Sequence, residues 1–277
     1  MKSLVIYFQE RFPLLQVGIF AGGYGLLVVG VLDRVNALKF GLVAAFFISF
    51  LLRQRITDEF KDARHDNEKY PDRPLPRGLV TRSQLLVVGA FALGAEVLSA
   101  WLLGGARAFP CYLLMVLYSV LMAREFFASD WLEAHFTTYY LSHEVIFGFF
   151  AAFFVVALAP ERSLDLAFVL PAGLVLVAAP AGVEVIRKFK LRRDPQGKIV
   201  RDTYPAVWGR RNSLLVLCAA SVLVGIGLFL LSHNPLPVVV ALAISGAWQV
   251  LGRSSDKIVF LIGVVNFLGM GALSLYL

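Results

Sequence analysis

The chain has 277 residues, of which 58% are hydrophobic and only 16% are charged, with a mean hydropathy of +0.74. A soluble domain has about 45–50% apolar and about 25% charged residues, so this composition excludes an ordinary soluble protein. The net charge of +7 comes without a stacking motif or a basic recognition helix, so the sequence does not predict a nucleic-acid partner. The two cysteines, Cys111 and Cys218, lie in apolar runs and form no spaced metal or disulfide pattern.

Long apolar runs predict an all-α polytopic membrane protein, because a segment in lipid must satisfy its own backbone groups. About 20 apolar residues cross a hydrocarbon core of about 30 Å. The length of the chain leaves no room for a large soluble domain, so we expect a single membrane domain over residues 1–277. In chain order, the predicted spans are 15–32, 37–53, 84–104, 108–123, 137–158, 167–186, 213–232, 236–252 and 257–276, about nine in all.

Lysine and arginine are distributed unequally between the two sides of these spans. With the N-terminus inside, 22 of the 26 basic residues fall on the inside. The four on the outside are Arg34, Lys39, Arg107 and Arg162. By the positive-inside rule, the sequence predicts a cytoplasmic N-terminus in the cell (inner) membrane. Two long charged loops, 54–83 and 187–212, then lie on the cytoplasmic face, where we expect them to cap an active site.

The first charged loop repeats a carboxylate every four residues, at Asp58, Asp62 and Asp66. On a helix this spacing places all three on one face, where like charges cost roughly a few tenths of a kcal/mol per pair. Mg²⁺ is a suitable counter-charge, since it binds one or two carboxylates together with phosphate oxygens. Neighbouring cations, Arg64 and Arg73 among them, would then bind the phosphates. The alternative is a solvated helix of mixed charge, whose surface pairs contribute little.

The stretch YPDRPLPRG follows, and its two prolines around Leu75 fix an extended turn beside the carboxylates. DxxxDxxxD followed by PDRPLPxG resembles the first aspartate-rich motif of the UbiA-type membrane prenyltransferases. Asp62 and Asp66 match the two aspartates of that motif, and Asp58 stands where the family most often has Asn. The nine spans, the inside N-terminus and the two long loops resemble the family as well, which implies a UbiA-like helical bundle.

The resemblance implies a Mg²⁺-dependent enzyme that transfers an isoprenyl group from a prenyl diphosphate to an aromatic or lipidic acceptor in the membrane. Asp58, Asp62 and Asp66 would hold the metal. Diphosphate would leave an allylic carbon with carbocation character, while the metal and basic side chains stabilise the leaving charge. The rival interpretation is a non-enzymatic transporter or lipid-binding protein that has the same fold.

The second charged loop, EVIRKFKLRRDPQGKIVRDTYPAVWG, departs from the family pattern because its acidic residues are sparse. Glu184 ends the sixth span and shares a helix face with Lys188. In one interpretation Glu184, with Asp194 or Asp202, supplies a reduced second metal site. In another, Arg187, Lys188 and their basic neighbours hold the diphosphate directly. In a third, the loop is a basic cluster at anionic lipid, worth about 1 kcal/mol per residue.

Several polar side chains lie within the predicted spans. Glu96 is in mid-span, where a charge costs about 2.5–3.5 kcal/mol, so we expect it to be protonated or packed inward. His143 and Glu144, near Tyr139, lie about one or two turns inside the fifth span. They predict either contact with the acceptor and removal of its proton, or an interfacial hydrogen-bonded cluster. The phenylalanines of 147–154 predict either an isoprenoid tunnel or ordinary bundle packing.

The predicted site therefore has three groups of residues. The metal ligands are Asp58, Asp62 and Asp66; the catalytic residues are Asp62, Asp66 and Glu184; and the substrate-binding residues are Arg64, Arg73, Arg187, Lys188, Tyr139 and Glu144.

Overall fold

A computed structural model describes residues 2–33 and 36–276, so the predicted outside residue Arg34 lies outside the described residues. The structure is helical apart from one small hairpin, in which β1 (Arg192–Arg193) pairs antiparallel with β2 (Ile199–Val200). Within the described ranges the helices are α1 Lys2–Arg11, α2 Leu14–Leu32, α3 Ala37–Lys61, α4 Ala63–Lys69, α5 Arg82–Ala123, α6 Ser129–Ala134, α7 Phe136–Glu144, α8 Ile146–Leu158, α9 Leu166–Arg187, α10 Tyr204–Val207, α11 Gly209–Ser232, α12 Leu236–Leu251 and α13 Asp256–Ser274.

The long helices confirm the predicted polytopic membrane fold. In the described part of the chain, seven helical stretches are long and apolar enough to cross a membrane: α2, α3, α5, α7 together with α8, α9, α11 and α13. α12 is also apolar, but it is shorter, with 16 residues. α5 has 42 residues, which is about 63 Å of helix and about twice the thickness of a hydrocarbon core.

α5 is two spans joined by a sharp reversal at Gly105. This residue has φ 54° and ψ −154°, a conformation that glycine adopts without the penalty that a Cβ brings. Arg53 of α3 donates both to Glu96 in the first half of α5 (2.7 Å) and to Ser119 in the second half (3.0 Å). A straight helix would separate Glu96 from Ser119 by roughly 35 Å. Counting α5 twice and α12 once gives the predicted nine segments.

The Arg53–Glu96 pair also settles the surroundings of the mid-span carboxylate. Glu96 is fully buried, and its two oxygens accept from Arg53 Nε (2.7 Å) and Nη2 (3.0 Å). The prediction that Glu96 packs inward is confirmed by this contact. A two-bond guanidinium–carboxylate contact gives both partners hydrogen bonds that lipid does not supply.

Aromatic rings fill the centre of the bundle between α2, α3 and α8. Phe46 of α3 stacks on Phe153 (centroids 5.1 Å apart) and meets Phe150 edge-on (5.5 Å). Tyr24 of α2 packs on these rings, and its hydroxyl donates to the carbonyl of Leu176 in α9 (3.1 Å). Of the two interpretations of the phenylalanine run 147–154, the structure therefore gives the buried members a packing role.

One face of the bundle carries both charged loops, and we call it the loop face. α1 lies against it, with Tyr7 buried beside Ile56 and Leu85. Arg11, at the end of α1, donates to Glu59 of α3 (2.7 Å). These contacts fix the end of α3, which carries the first carboxylates of the repeat.

Candidate active site

The carboxylate repeat keeps helical geometry across the boundary between α3 and α4. Although α3 ends at Lys61, the N–H of Asp62 donates to the carbonyl of Asp58, and the N–H of Asp66 donates to that of Asp62, both at 2.8 Å. The spacing that the sequence predicted for residues 58–66 is therefore present in the backbone. α3 runs eight residues past the predicted end of its span at 53.

The three carboxylates have different surroundings. Asp66 is buried, with 3% of its side chain exposed, and it is paired with Arg73 and with Arg11 (3.5 Å). Asp58 is partly exposed and has Arg55 at 3.9 Å. Among the described residues, no group of three or more His, Cys, Asp or Glu is placed to hold a metal ion. Asp66 is thus neutralised by arginines, and the three predicted metal ligands do not converge on one point.

Asp62 is the carboxylate with excess negative charge around it. Burial, Asp58 and Asp66 together raise the pKa of its carboxyl to about 6, while Lys61 and Lys188 oppose them. A raised pKa means that the surroundings disfavour the ionised form. A hard divalent cation would remove this penalty, and Mg²⁺ is commonly held by one or two carboxylates plus phosphate oxygens. The pair Asp58 and Asp62 therefore fits Mg²⁺.

The second loop presents a basic pair that has its own counter-ion. At the end of α9, Glu184 accepts from Arg187 Nε (2.9 Å) and Nη2 (2.7 Å). Lys188 Nζ lies 3.0 Å from the other oxygen of Glu184, and the hydroxyl of Tyr204 lies 3.5 Å from it. Glu184 thus holds two cations at one helix end.

The other two acids of this loop have structural contacts. Asp194 accepts from the N–H groups of Gln196 (3.0 Å) and Lys198 (2.9 Å) and so closes the turn of the β hairpin. Asp202 accepts from Arg192 (3.0 Å) and from the hydroxyl of Tyr70 in the first loop (2.8 Å). Asp194 and one oxygen of Asp202 therefore have structural contacts within the loops, while Oδ1 of Asp202 is buried without a hydrogen-bond partner among the described residues.

The ends of α3 and α9 face each other across the site. Lys188 favours the ionised form of Asp62, and Asp58 interacts electrostatically with Arg187. Lys61 lies between the loops and α7, with Glu125 at 3.2 Å and the hydroxyl of Tyr139 at 3.3 Å. A carboxylate pair and a basic pair thus share one space on the loop face.

α7 and α10 line the membrane side of this space, which we call the floor. The rings of Tyr139 and His143 stack at 4.1 Å, and Tyr140 contacts Tyr204 at 5.2 Å. Glu144 lies on the next turn, within electrostatic reach of Glu184. The structure therefore brings the predicted substrate-binding residues Tyr139 and Glu144 to the same place as the charged ends of α3 and α9.

The two arginines predicted for the first loop differ in position: Arg64 is away from the carboxylates, and Arg73 lies beside them as predicted. The side chain of Arg64 is 95% exposed and pairs with Glu68 (3.5 Å), so it lies outside the site. Arg73 instead stacks on the ring of Tyr70 (3.8 Å) and pairs with Asp66. Sequence reasoning missed Arg11 and Tyr70, because each acts through a partner that is distant in the chain. In the sequence, the only features that pointed to these two residues were the position of Arg11 just before the first span and the position of Tyr70 just before the proline-rich turn.

The fold and the site define an integral membrane protein with a charged site between two loops on one face of a helical bundle. The model of the UbiA prenyltransferase family matches residues 44–257, which is more than half of the chain. The protein therefore belongs to this family, and the resemblance seen in the first aspartate-rich motif is confirmed.

Two solved structures share the fold. The apo structure of a UbiA homolog from Aeropyrum pernix K1 is 16% identical, with 95% of this chain and 98% of that chain covered and a TM-score of 0.57. A structure described as giving structural and mechanistic insights into digeranylgeranylglyceryl phosphate synthase in membranes is also 16% identical, with 100% of both chains covered and a TM-score of 0.56. A search of curated proteins found no match.

Proposed function

We propose that the protein transfers an isoprenyl group from a prenyl diphosphate to a hydrophobic acceptor within the membrane, with Mg²⁺ held by Asp58 and Asp62. The observation that carries this proposal is the position of Asp62. Its carboxyl has a pKa raised to about 6 by burial and by Asp58, and it faces the basic pair of α9. The charges of such a site are balanced when one cation and one polyanion bind to it together.

The protein's own residues have distinct roles in this proposal. Arg187 and Lys188 bind the diphosphate oxygens by charge-assisted hydrogen bonds, and Glu184 holds both in place beforehand. Asp66 anchors Arg73 beside the site. When bound, Mg²⁺ would supply Lewis-acid stabilisation of the charge that develops on the departing diphosphate.

The membrane setting supports a lipid-soluble donor and acceptor. The part of the floor that α7 forms belongs to the span Phe136–Leu158, so the site adjoins the membrane rather than bulk water alone. We also propose that the loop face is cytoplasmic, because 22 of the 26 basic residues lie on that side of the spans. Membrane lipid is then the medium from which both substrates come.

The rival interpretation, a non-enzymatic transporter or lipid-binding protein, gains no support from Glu96. A carrier residue needs to exchange partners, whereas both oxygens of Glu96 accept from Arg53 at 2.7 and 3.0 Å. The pair is fully engaged inside the bundle. Prenyl transfer therefore remains the function that the described contacts support best.

The test is transfer by purified protein. Labelled farnesyl and geranylgeranyl diphosphates are incubated with the protein, Mg²⁺ and a native membrane lipid extract, and prenylated products are identified by mass spectrometry. We expect Asp62→Asn to lower product formation by about a hundredfold or more, since loss of a metal ligand removes most of the leaving-group stabilisation. It should also abolish the thermal stabilisation by Mg²⁺ plus prenyl diphosphate.

Asp165→Asn is the matched control, because Asp165 caps the other end of α9 and asparagine caps equally well. The control should transfer at the wild-type rate. Wild-type activity in Asp62→Asn would overturn the proposal.

A further inference from the structure

Two buried polar atoms on the floor have no hydrogen-bond partner among the described residues. They are Oε2 of Glu144 and Nε2 of His143. A buried polar group without a partner costs about 1–3 kcal/mol, and native proteins have few of them. Both atoms belong to neighbouring residues of α7, at the membrane side of the charged loops. Their position makes a ligand of the site their natural partner.

The missing partner of His143 is a hydrogen-bond donor. Nδ1 of His143 lies 2.8 Å from the carbonyl oxygen of Tyr139. A carbonyl oxygen only accepts, so Nδ1 carries the ring proton and Nε2 is left with a lone pair. The oxygen of a carboxylate is likewise an acceptor. His143, and Glu144 in its ionised form, therefore both lack a donor, and an anionic group would not satisfy either of them.

The charges around Glu144 strengthen this conclusion. Glu184, Arg187 and Lys188 of α9 lie within electrostatic reach of it. The hydrogen bonds of Arg187 and the ammonium of Lys188 go to Glu184, at 2.7–3.0 Å. The ionised form of Glu144 is therefore poorly compensated, because both neighbouring cations are bound to Glu184, and a carboxylate in this position binds a proton readily. It repels an anionic group and suits a neutral one that has a proton to give.

We propose that Glu144 receives the proton of a neutral acceptor whose reacting group is O–H or N–H, while Nε2 of His143 orients that acceptor. This inference rests on the proposed prenyl transfer. The acceptor's lone pair forms a bond to C1 of the isoprenyl group, and the C1–O bond to diphosphate breaks with its electron pair leaving on the diphosphate. The acceptor's proton passes to Oε2 of Glu144. No oxidant, reductant or further reactant is needed.

The test separates bond breaking from capture of the isoprenyl group. Breaking of the C1–O bond is followed by oxygen-18 exchange between the bridging and non-bridging positions of geranylgeranyl diphosphate. Capture is followed as total product from a native lipid extract, including prenol formed with water. We expect Glu144→Gln to lower capture by about a hundredfold, the scale of general-base catalysis. The rate of isotope exchange should stay within a factor of three of the wild-type rate. The rise in melting temperature that Mg²⁺ plus geranylgeranyl diphosphate produces should likewise stay within a factor of three of the wild-type rise.

Two further variants control for structure. Glu144→Asp keeps the carboxylate and should recover part of the lost rate, while Glu161→Gln, in an exposed turn at the other membrane face, should match the wild type. Wild-type capture in Glu144→Gln would overturn the inference. So would a product that is joined through carbon, or one whose acceptor has a carboxylate or phosphate next to the reacting atom. If the wild-type protein shows neither exchange nor product, the proposed function fails as well.

Discussion

The two charged loops meet over one site, but they are electrostatically unlike. The first loop buries Asp62 beside Asp58, and burial together with the charge of Asp58 raises the pKa of Asp62 to about 6 although Lys61 and Lys188 oppose them. The second loop places Arg187 and Lys188 around Glu184, which neutralises them in part. One loop therefore disfavours the ionised form of its own Asp62, and the other has cations that can exchange their partner for an anion. A metal diphosphate satisfies both needs at once.

This difference explains how a loop with few acids would serve in the proposed prenyl transfer site. Arg187 is 43% exposed on its side chain, and a pair near the surface contributes only about 0–1 kcal/mol. Exchanging Glu184 for diphosphate oxygens thus costs little. In the first loop, by contrast, Asp66 is itself buried and is bound to two partly buried arginines, so it changes partner with difficulty.

The largest expected effect comes from removing the basic pair. Arg187→Ala combined with Lys188→Ala should weaken the binding of a thiodiphosphate analogue of the prenyl substrate by about a hundredfold or more, since each charge-assisted bond contributes about 1.5–3 kcal/mol. Calorimetric titration should show this loss both with and without Mg²⁺. Asp58→Asn with Asp62→Asn should instead remove only the increment that Mg²⁺ adds. Equal losses from the two double variants in the absence of Mg²⁺ would contradict the division of roles between the loops.

A smaller effect is expected when the basic pair loses its counter-ion. Glu184→Gln should lower the free energy of unfolding of the ligand-free protein by up to about 2 kcal/mol, because it removes two ion pairs near the surface that contribute about 0–1 kcal/mol each. Inorganic pyrophosphate should then raise the melting temperature more in this variant than in the wild type. Glu161→Gln is the control for the substitution itself. A smaller pyrophosphate shift in Glu184→Gln would show that Glu184 binds the ligand or a metal rather than holding the cations.

The pH dependence separates the loops further. The pKa of Asp62 is raised in the folded state to about 6, against about 3.9 in the unfolded chain. Protonation of Asp62 therefore favours folding, so its contribution to ligand-free stability is full below about pH 4 and is lost as the pH rises through 6. Mg²⁺ needs the ionised form, so its apparent affinity should fall about tenfold per unit below pH 6.

Thermal melts between pH 4 and 8, with and without Mg²⁺, test both slopes. Asp62→Asn should flatten them together, whereas Asp165→Asn should leave them unchanged. A Mg²⁺ response that is constant from pH 5 to 7 would exclude Asp62 as a ligand.

The smallest effect concerns the bond that joins the loops. Tyr70→Phe removes the hydrogen bond from the tyrosine hydroxyl to Asp202 (2.8 Å), which is worth about 1 kcal/mol. We expect hydrogen exchange over residues 188–203 to become about fivefold faster. Tyr276→Phe, at an exposed position near the C-terminus, is the control. Unchanged exchange in Tyr70→Phe would mean that the loops are held together by other contacts.

The sequence predicted the fold well because lipid imposes a simple rule on spans. The break at Gly105 was predicted as the gap between spans 84–104 and 108–123, since glycines and a charge interrupt the apolar run there. The end of α3 was placed eight residues too early, because a helix that leaves the membrane can continue with polar residues. The span predicted at 137–158 divides at Val145 into α7 and α8, and no feature of its composition indicated this division.

The candidate site was predictable where it depends on spacing along one helix. The four-residue period placed Asp58 and Asp62 together, and the i, i+4 relation placed Lys188 on Glu184. The pairing of Asp66 with Arg11 depends on how α1 packs against α3, and a single sequence does not encode such a contact in any local pattern. Arg64 is next to the carboxylates in sequence but lies outside the site, because the packing of the helices and not the sequence distance decides which side chains face it.

The contact between Arg53 and Glu96 has a consequence for how the chain enters the membrane during synthesis. A charge buried alone in a transmembrane helix costs about 2.5–3.5 kcal/mol. Arg53 on α3 and Glu96 on the first half of α5 are 43 residues apart in the chain, so they are synthesised at different times. Each charged side chain would lie in lipid without its partner if its helix were released into the membrane before the other helix arrived. The geometry therefore favours co-insertion, in which α3 stays at the translocation machinery until both halves of α5 have been synthesised and can enter the lipid with it.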